Sequence, residues 1–353
     1  MDNKETVLIT GANGEVGHAL LPKLSEMKGY NAITLDIREL DDDLKQYAHE
    51  IIVADILDKD VVENLLREHQ ITTIFHLAAI LTTSGEKNPE RAHDVNVNGT
   101  ASLLSAAYKI GLEGKFTIKF VFPSTIAVYG LSDLKTKQVS GTLKETDFNS
   151  PITMYGINKL YCEMLGNYYS SHYSQLRPKV DRPMDDTTHN FSPIDFRSVR
   201  FPGIISALTI PSGGTSDYAP EMIHSAARGE GYESFVRPDT IIPFMVMPDA
   251  VKALLQLTEA PREKLTKDVY NVSGFSASAQ EIAELVNKVF PDSAISYVPD
   301  PARQKIVDSW PAAIDDSAAK KDWGWQADYD ITRAFSEYLI PEIQNRYNKK
   351  TNG

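Results

Sequence analysis

The segment Val7-Leu-Ile-Thr-Gly-Ala-Asn-Gly-Glu-Val-Gly-His18 decides the fold. An apolar, β-branched run leads into three glycines, Gly11, Gly14 and Gly17, which open a patterned helix through Ala19, Leu20 and Leu24. In such a strand–turn–helix, Gly11 permits the tight turn, Gly14 lets a pyrophosphate approach the backbone, and Gly17 lets helix and strand pack closely. The free amides and the positive helix end then face a dianionic group without needing a basic side chain. Three glycines alone also suit a turn with no ligand. The balance shifts with Asp36, which closes the second apolar run 19 residues after Gly17. A carboxylate there accepts both hydroxyls of an adenosine ribose and repels a 2′-phosphate, which favours NAD over NADP. Asp55, with Ile56 beside it, ends the third run and either meets the adenine or caps the next helix.

Working outward, apolar runs alternate with amphipathic stretches over the first two hundred residues. The runs are Val7–Thr10, Ala32–Asp36, Ile51–Asp55, Thr73–Ala78, Lys119–Phe122 and Phe196–Arg200, each apolar on both faces. That is the pattern of a parallel sheet covered by crossover helices on both sides. The expected fold class is α/β, a Rossmann doubly wound parallel sheet with a smaller, interleaved C-terminal substrate lobe. Residues 1–200 form the NAD-binding domain, with segments around 241–275 returning to it, and 201–240 and 276–353 form the lobe, where Pro and Gly punctuate shorter elements. The polar stretch Ser174–Pro193 reads as a long surface loop, and its Asn190–Ser192 sequon carries little weight.

Composition limits the possible functions. The chain has 353 residues, 42% of them hydrophobic, with 36 Lys+Arg against 48 Asp+Glu, a net charge of −12. Without a basic run, nucleic acid is not an expected partner. No apolar stretch approaches a membrane span and no signal-like core appears, so a soluble, cytoplasmic protein is expected. Cys162 is the only cysteine, which excludes an internal disulfide. With one Cys, eight scattered His and no His-Glu-x-x-His pair, no metal is expected.

Tyr155-Gly-Ile-Asn-Lys159 places a phenol and an ammonium four residues apart on an expected helix, Tyr155–Tyr169, so they share a face. A nearby cation favours the phenolate and lowers the phenol pKa toward the range of a general base. The run Phe120-Val-Phe-Pro-Ser-Thr-Ile-Ala-Val-Tyr-Gly130 strengthens this, because a buried strand ends in two hydroxyls at the carboxyl edge, where ligands bind. Ser124 and Thr125 either orient a substrate hydroxyl or serve only as strand-end turn residues.

Through Gly11/Gly14/Gly17, His76-Leu-Ala-Ala79, Asn96-Val-Asn98, Pro123-Ser-Thr125 and Tyr155/Lys159, the sequence resembles the extended short-chain dehydrogenase/reductase superfamily along its whole length. The resemblance implies Tyr155 as acid/base, Lys159 as the residue that lowers its pKa and holds the nicotinamide ribose, and Thr125 as the hydroxyl on the reacting oxygen, with Ser124 as a second contact. It implies an NAD site formed by Gly11, Asn13, Gly14, Glu15, Val16, Gly17, Asp36, Ile37, Asp55, Ile56, Leu77, Ala78, Ala79, Asn96, Tyr155, Lys159, Pro202 and Ile204. Asn96 resembles the position supporting a proton relay, or is a polar residue inside a helix.

Nucleotide-sugar members of the superfamily usually carry Arg followed by Gly-Asp late in the chain. Arg303-Gln-Lys-Ile-Val-Asp-Ser-Trp-Pro311 lacks that pair. Instead, Arg197–Ser206, Gly213-Gly-Thr-Ser-Asp-Tyr-Ala219, Asp308-Ser-Trp-Pro311 and Asp315–Trp325 resemble the short-chain type of L-threonine 3-dehydrogenase. That resemblance implies NAD-dependent oxidation of the L-threonine β-hydroxyl to L-2-amino-3-oxobutyrate. Thr82, Ser124, Thr125, Tyr155, Gly214, Thr215, Ser216 and Trp310 become the substrate contacts, with Thr82 where the family commonly has Ser. Trp310 is equally at home as a core aromatic. The alternative is an NAD-containing nucleotide-sugar epimerase or dehydratase. A homodimer is also implied, pairing helices near Asn98 and Tyr155.

Overall fold

The computed structural model describes residues 4–27, 29–173, 175, 191–211 and 214–351, with side chains as far as residue 347. Seven strands form one parallel sheet: β1 (Glu5–Thr10), β2 (Tyr30–Asp36), β3 (Glu50–Val53), β4 (Thr73–His76), β5 (Ile118–Thr125), β6 (Ile194–Phe201) and β7 (Val269–Asn271). Their spatial order is 3-2-1-4-5-6-7, the doubly wound arrangement expected from the alternating runs. The winding reverses between β1 and β4, which opens a crevice at their carboxyl ends.

Alternation along each strand fills both faces. Val7 and Ile9 join a core with Leu20, Leu21 and Leu24 of the helix Glu15–Glu26 and with Ala250 and Leu254 of the helix Met247–Glu259. Leu8 joins the opposite core with Leu65 and Leu66 of the helix Lys59–Glu68, Leu103 and Leu104 of the helix Thr100–Gly114, and Cys162. All eight residues of β6 are buried.

Some strand ends differ from expectation. β3 stops at Val53 and β4 at His76, whereas β5 runs on through Pro123 to Thr125. β4 pairs with β5 only as far as Val121, while β6 follows β5 to its last residue, so β5 continues on one partner alone.

Past β6 the chain leaves this sheet. Gly203–Ile205, Ile241–Val246 and Phe275–Ser278 make a separate three-stranded sheet, and Val269–Asn271 returns to the edge of the large one. Most of the Ser174–Pro193 stretch, Asn190 included, lies outside the described residues, as does Gly213. Among the described residues no helix is long and apolar enough to cross a membrane.

Candidate active site

The glycine turn is shaped as its spacing predicts. Gly11 has φ +68°, and a Cβ on it would lie 2.6 Å from the backbone N and Cα of Ala78, so the turn presses against the chain leaving β4. A Cβ at Gly17 would lie 2.1 Å from the Ala12 carbonyl oxygen. Gly14 is the N-cap of the following helix and brings no capping side chain to the first-turn amides of Glu15 and Val16. Asp36, at the end of β2, accepts from the Asn13 N–H at 2.9 Å and the Arg38 N–H at 3.2 Å, with Ile37 exposed beside it. Uncapped amides and an oriented carboxylate at one sheet edge suit a dinucleotide with an unmodified ribose. The Asn13 side chain faces elsewhere: it donates to the Glu39 carbonyl and accepts from the Asp41 N–H.

Asp55 pairs with Arg91 at 2.8 Å and accepts from the Leu57 N–H. Those contacts, the amide foremost, hold its carboxyl below the usual range. The cap of the next helix is Asp58, which accepts from the Val61 N–H. Ile56 is buried against Gly99.

A buried chain of hydrogen bonds runs behind the crevice. Thr100 donates to the Asn96 carbonyl at 2.6 Å, so its oxygen accepts from His76 Nε2 at 2.8 Å, and His76 Nδ1 in turn accepts from Thr10 at 2.7 Å. Burial, with Lys159 nearby, pushes the His76 pKa down to about 3, keeping the ring neutral. Asn96 lies in the π-helical turn Asp94–Gly99, its side chain clamped to the backbone N–H and C=O of Ile80, which tethers the chain just past Leu77–Ala79.

The helix Met154–Asn167 carries Tyr155 and Lys159, begins at the Thr153 cap, and is followed by a π-helical turn, Tyr168–His172. Gly156 decides its position: a Cβ there would lie 2.1 Å from the Ala127 carbonyl oxygen, so only glycine lets the helix rest on the turn Ile126–Val128 that follows Thr125. Lys159 Nζ donates to the Pro123 carbonyl at 2.7 Å, lies 4.2 Å from the Phe122 ring centroid and 5.8 Å from that of Tyr155. Thr125 Oγ1 accepts from the Ala127 N–H at 3.1 Å, leaving its own O–H to donate. Ser124 is buried, and its O–H donates to Glu163, which also receives Arg200. The structure thus brings Ser124, Thr125, Tyr155 and Lys159 to one strand end.

Electrostatics corrects one expectation. Burial holds the Tyr155 phenol above its ordinary value rather than below it, and pushes Lys159 down to about 8 against the opposing influence of Cys162 and Glu163. Burial alone accounts for the raised phenol, and the Lys159 nitrogen is engaged by the Pro123 carbonyl.

The remaining candidates approach from the other lobe. Pro202 and Ile204 flank Gly203, whose Cβ would meet Ser216 Cβ at 3.3 Å, which sets the 214–216 loop beside the exit of β6. Gly214 donates to Asp217 and accepts from Arg303 at 2.7 Å, and Thr215 is buried. Thr209, earlier in the same loop, donates to Glu15 at 2.8 Å, and burial raises the Glu15 pKa. Trp310 is 5% exposed and belongs to the large core, next to Ser309, whose carbonyl accepts from the Leu131 N–H. Thr82 begins a short helix, Thr82–Lys87, whose Glu86 accepts from the Met154 N–H at 2.8 Å. Glu163 and Arg200 are site neighbours that the motif reading passed over. Their signal was charge in otherwise apolar runs, with Glu163 four residues after Lys159 and Arg200 in a strand buried throughout.

Comparison with known proteins finds relatives along nearly the whole chain. The chain is 35% identical to the mitochondrial L-threonine 3-dehydrogenase of Bos taurus over 338 residues, 96% of this chain and 82% of that protein. It is 34% identical to an uncharacterized epimerase/dehydratase of Staphylococcus haemolyticus, covering 98% of this chain and 100% of that one. The L-threonine 3-dehydrogenase structure from Trypanosoma brucei superimposes with a TM-score of 0.83 at 35% identity, covering 97% and 98% of the two chains. With residues 7–273 matching its model, the chain belongs to the NAD dependent epimerase/dehydratase family, whose members include the extended short-chain dehydrogenases, and is an NAD-dependent oxidoreductase of that family.

Proposed function

We propose that this enzyme oxidises the β-hydroxyl of L-threonine to L-2-amino-3-oxobutyrate. The observation that carries the reading is the seating of Gly156 on Ala127, which sets Tyr155 and Lys159 beside Thr125. NAD would be held by the Gly11–Gly17 turn, Asp36 and the Leu77–Ala79 segment, and when bound it supplies the hydride acceptor. Tyr155 takes the hydroxyl proton. Lys159, fixed by the Pro123 carbonyl, is the cation of this chain placed to stabilise the phenolate, which burial alone disfavours. Thr125 donates its O–H to the reacting oxygen. Thr82, Gly214, Thr215 and Ser216 receive the carboxylate with hydroxyls and backbone amides, and Trp310 excludes water.

Arg303 favours this over a nucleotide-sugar substrate. Its guanidinium lies 3.2 Å from the Phe235 ring centroid and donates to the Gly214 carbonyl, so it braces the 214–216 loop rather than offering itself to a diphosphate. The assay is reduction of NAD against a panel of amino acids and UDP-sugars. Threonine-dependent NADH formation is expected; UDP-sugar conversion without net reduction would replace this reading with the epimerase one.

The reading includes a homodimer acting in the cytoplasm. Ile157, Tyr161, Met164 and Tyr168 are exposed at one-turn spacing along a single face of the Tyr155 helix, an apolar stripe that a second copy would cover, with Asn98 also exposed nearby in sequence to the helix Thr100–Gly114. Light scattering at assay concentration tests it, and a monomer would remove it.

A further inference from the structure

Tyr155, Lys159 and Glu163 follow one another at four-residue intervals, so one face of their helix presents phenol, ammonium and carboxylate in line. The third member has no part in the chemistry above. Glu163 is 3% exposed; one oxygen accepts from Ser124 and from Arg200 Nε at 2.9 Å, and the other from Arg200 Nη2 at 2.6 Å. Arg200, equally buried, also donates to the Glu145 carbonyl and to Asn149, and its guanidinium carbon lies 5.0 Å from the Tyr129 ring centroid. Ser124 and Arg200 are register partners on β5 and β6.

A buried ion pair is weak evidence for a stability role, since apolar replacements of similar volume are often at least as stable. The arrangement does fix one thing. A serine has a single O–H, and here a carboxylate locked by arginine takes it. Ser124 Oγ is left with acceptor lone pairs only. Its neighbour is the reverse: Thr125 Oγ1 already accepts from a backbone N–H, so its O–H is the group left to donate. The strand end therefore carries two adjacent hydroxyls of opposite polarity, held so by Glu163.

We infer that Glu163 is a positioning residue that keeps Ser124 an acceptor, and that the Ser124–Thr125 couple selects an alcohol bearing a neighbouring protonated amine. Thr125 donates to the alcohol oxygen and Ser124 accepts from the ammonium. A β-hydroxy acid without the amine offers Ser124 nothing. The inference rests on the proposed function and deepens it by naming what distinguishes the substrate from its des-amino analogue.

The test compares kcat/KM for L-threonine with that for (3R)-3-hydroxybutyrate, in the wild type, Glu163→Gln and Ser124→Ala. In Glu163→Gln an NH2 replaces one of two oxygens that both accept from Arg200, so whichever way the amide turns the bidentate lock is broken and the Ser124 O–H is no longer held. The preference for threonine should fall at least roughly tenfold, through KM, while turnover of the des-amino alcohol is unchanged or improved. Ser124→Ala leaves the buried ion pair intact and should show the same selective loss, so the inference remains testable if Glu163→Gln does not fold. Equal losses on both substrates in Ser124→Ala, or an unaltered preference in a folded Glu163→Gln, would overturn this inference alone. A wild type inactive on both alcohols would overturn the proposed function and this inference with it.

Discussion

Thr209 and Glu15 are 194 positions apart in the chain and 2.8 Å apart in the fold, a hydroxyl donating to a carboxylate. The bond ties the loop that leads to Gly214–Ser216 to the first residue of the helix behind the glycine turn, so dinucleotide and substrate segments share one tether. Thr209→Val removes the donor and leaves Glu15 half-buried. Losing about 1 kcal/mol of loop placement should raise the KM for the amino acid roughly fivefold, with NAD affinity unchanged. Steady-state kinetics beside an NAD titration checks it, and an unaltered KM would show the tether to be idle.

Tyr155→Phe removes the proton acceptor and nothing else. Turnover should fall by roughly 10²- to 10⁴-fold, the usual worth of a positioned acid/base, while NAD binding followed by fluorescence stays normal. Near-normal turnover would remove Tyr155 from the chemistry.

Gly156→Ala keeps every proposed chemical group. Its new Cβ falls 2.1 Å from the Ala127 carbonyl oxygen, so the helix must lift from the turn after Thr125. A loss of kcat of about tenfold or more is expected, since small misplacements have large effects on rate. Wild-type kcat would mean that the seating does not position Tyr155.

Asp36→Ser removes the carboxylate that disfavours a 2′-phosphate. The ratio of kcat/KM for NADP over NAD should rise about tenfold or more, equivalent to about 1.4 kcal/mol of relieved repulsion. The Asn13 and Arg38 amides lose their acceptor as well, so absolute activity with NAD should drop. An unchanged ratio would locate cofactor choice elsewhere.

His76 should make the fold acid-sensitive. Its pKa is about 3 in the fold against 6.5 when free, so the unfolded chain binds the extra proton between those values. Its contribution is complete above about pH 6.5 and is lost as pH falls, at about 1.4 kcal/mol per unit. Urea unfolding should weaken by about 2 kcal/mol from pH 7 to 5 on this account, and His76→Gln should flatten the slope even if it lowers stability overall. A mutant slope equal to the wild type would assign the acid sensitivity to other groups.

What the sequence revealed was local. Gly11 and Gly17 are legible because a Cβ on either would collide with neighbouring backbone, and Tyr155 with Lys159 because helical spacing alone puts them together. What escaped depends on partners distant in sequence. Asp55 looks like an adenine contact or a cap until Arg91, 36 positions on, takes one of its oxygens. Ser124 looks like a free hydroxyl until Glu163 is folded against it, 39 positions away. The direction of the Tyr155 pKa escaped for a related reason: a spacing rule supplies the cation but not the depth of burial.

The π-helical turn Asp94–Gly99 has an evolutionary corollary. A π turn holds one residue more than the α-helix around it, so it is in effect a tolerated insertion. Excising a single residue there would restore regular α winding while Pro89–His93 and Thr100–Gly114 keep their rotational phase, because the wider turn already absorbs the extra residue. Homologues one residue shorter at this point should therefore keep both flanking helices in phase and lose only the local bulge from which Asn96 reaches the Ile80 backbone.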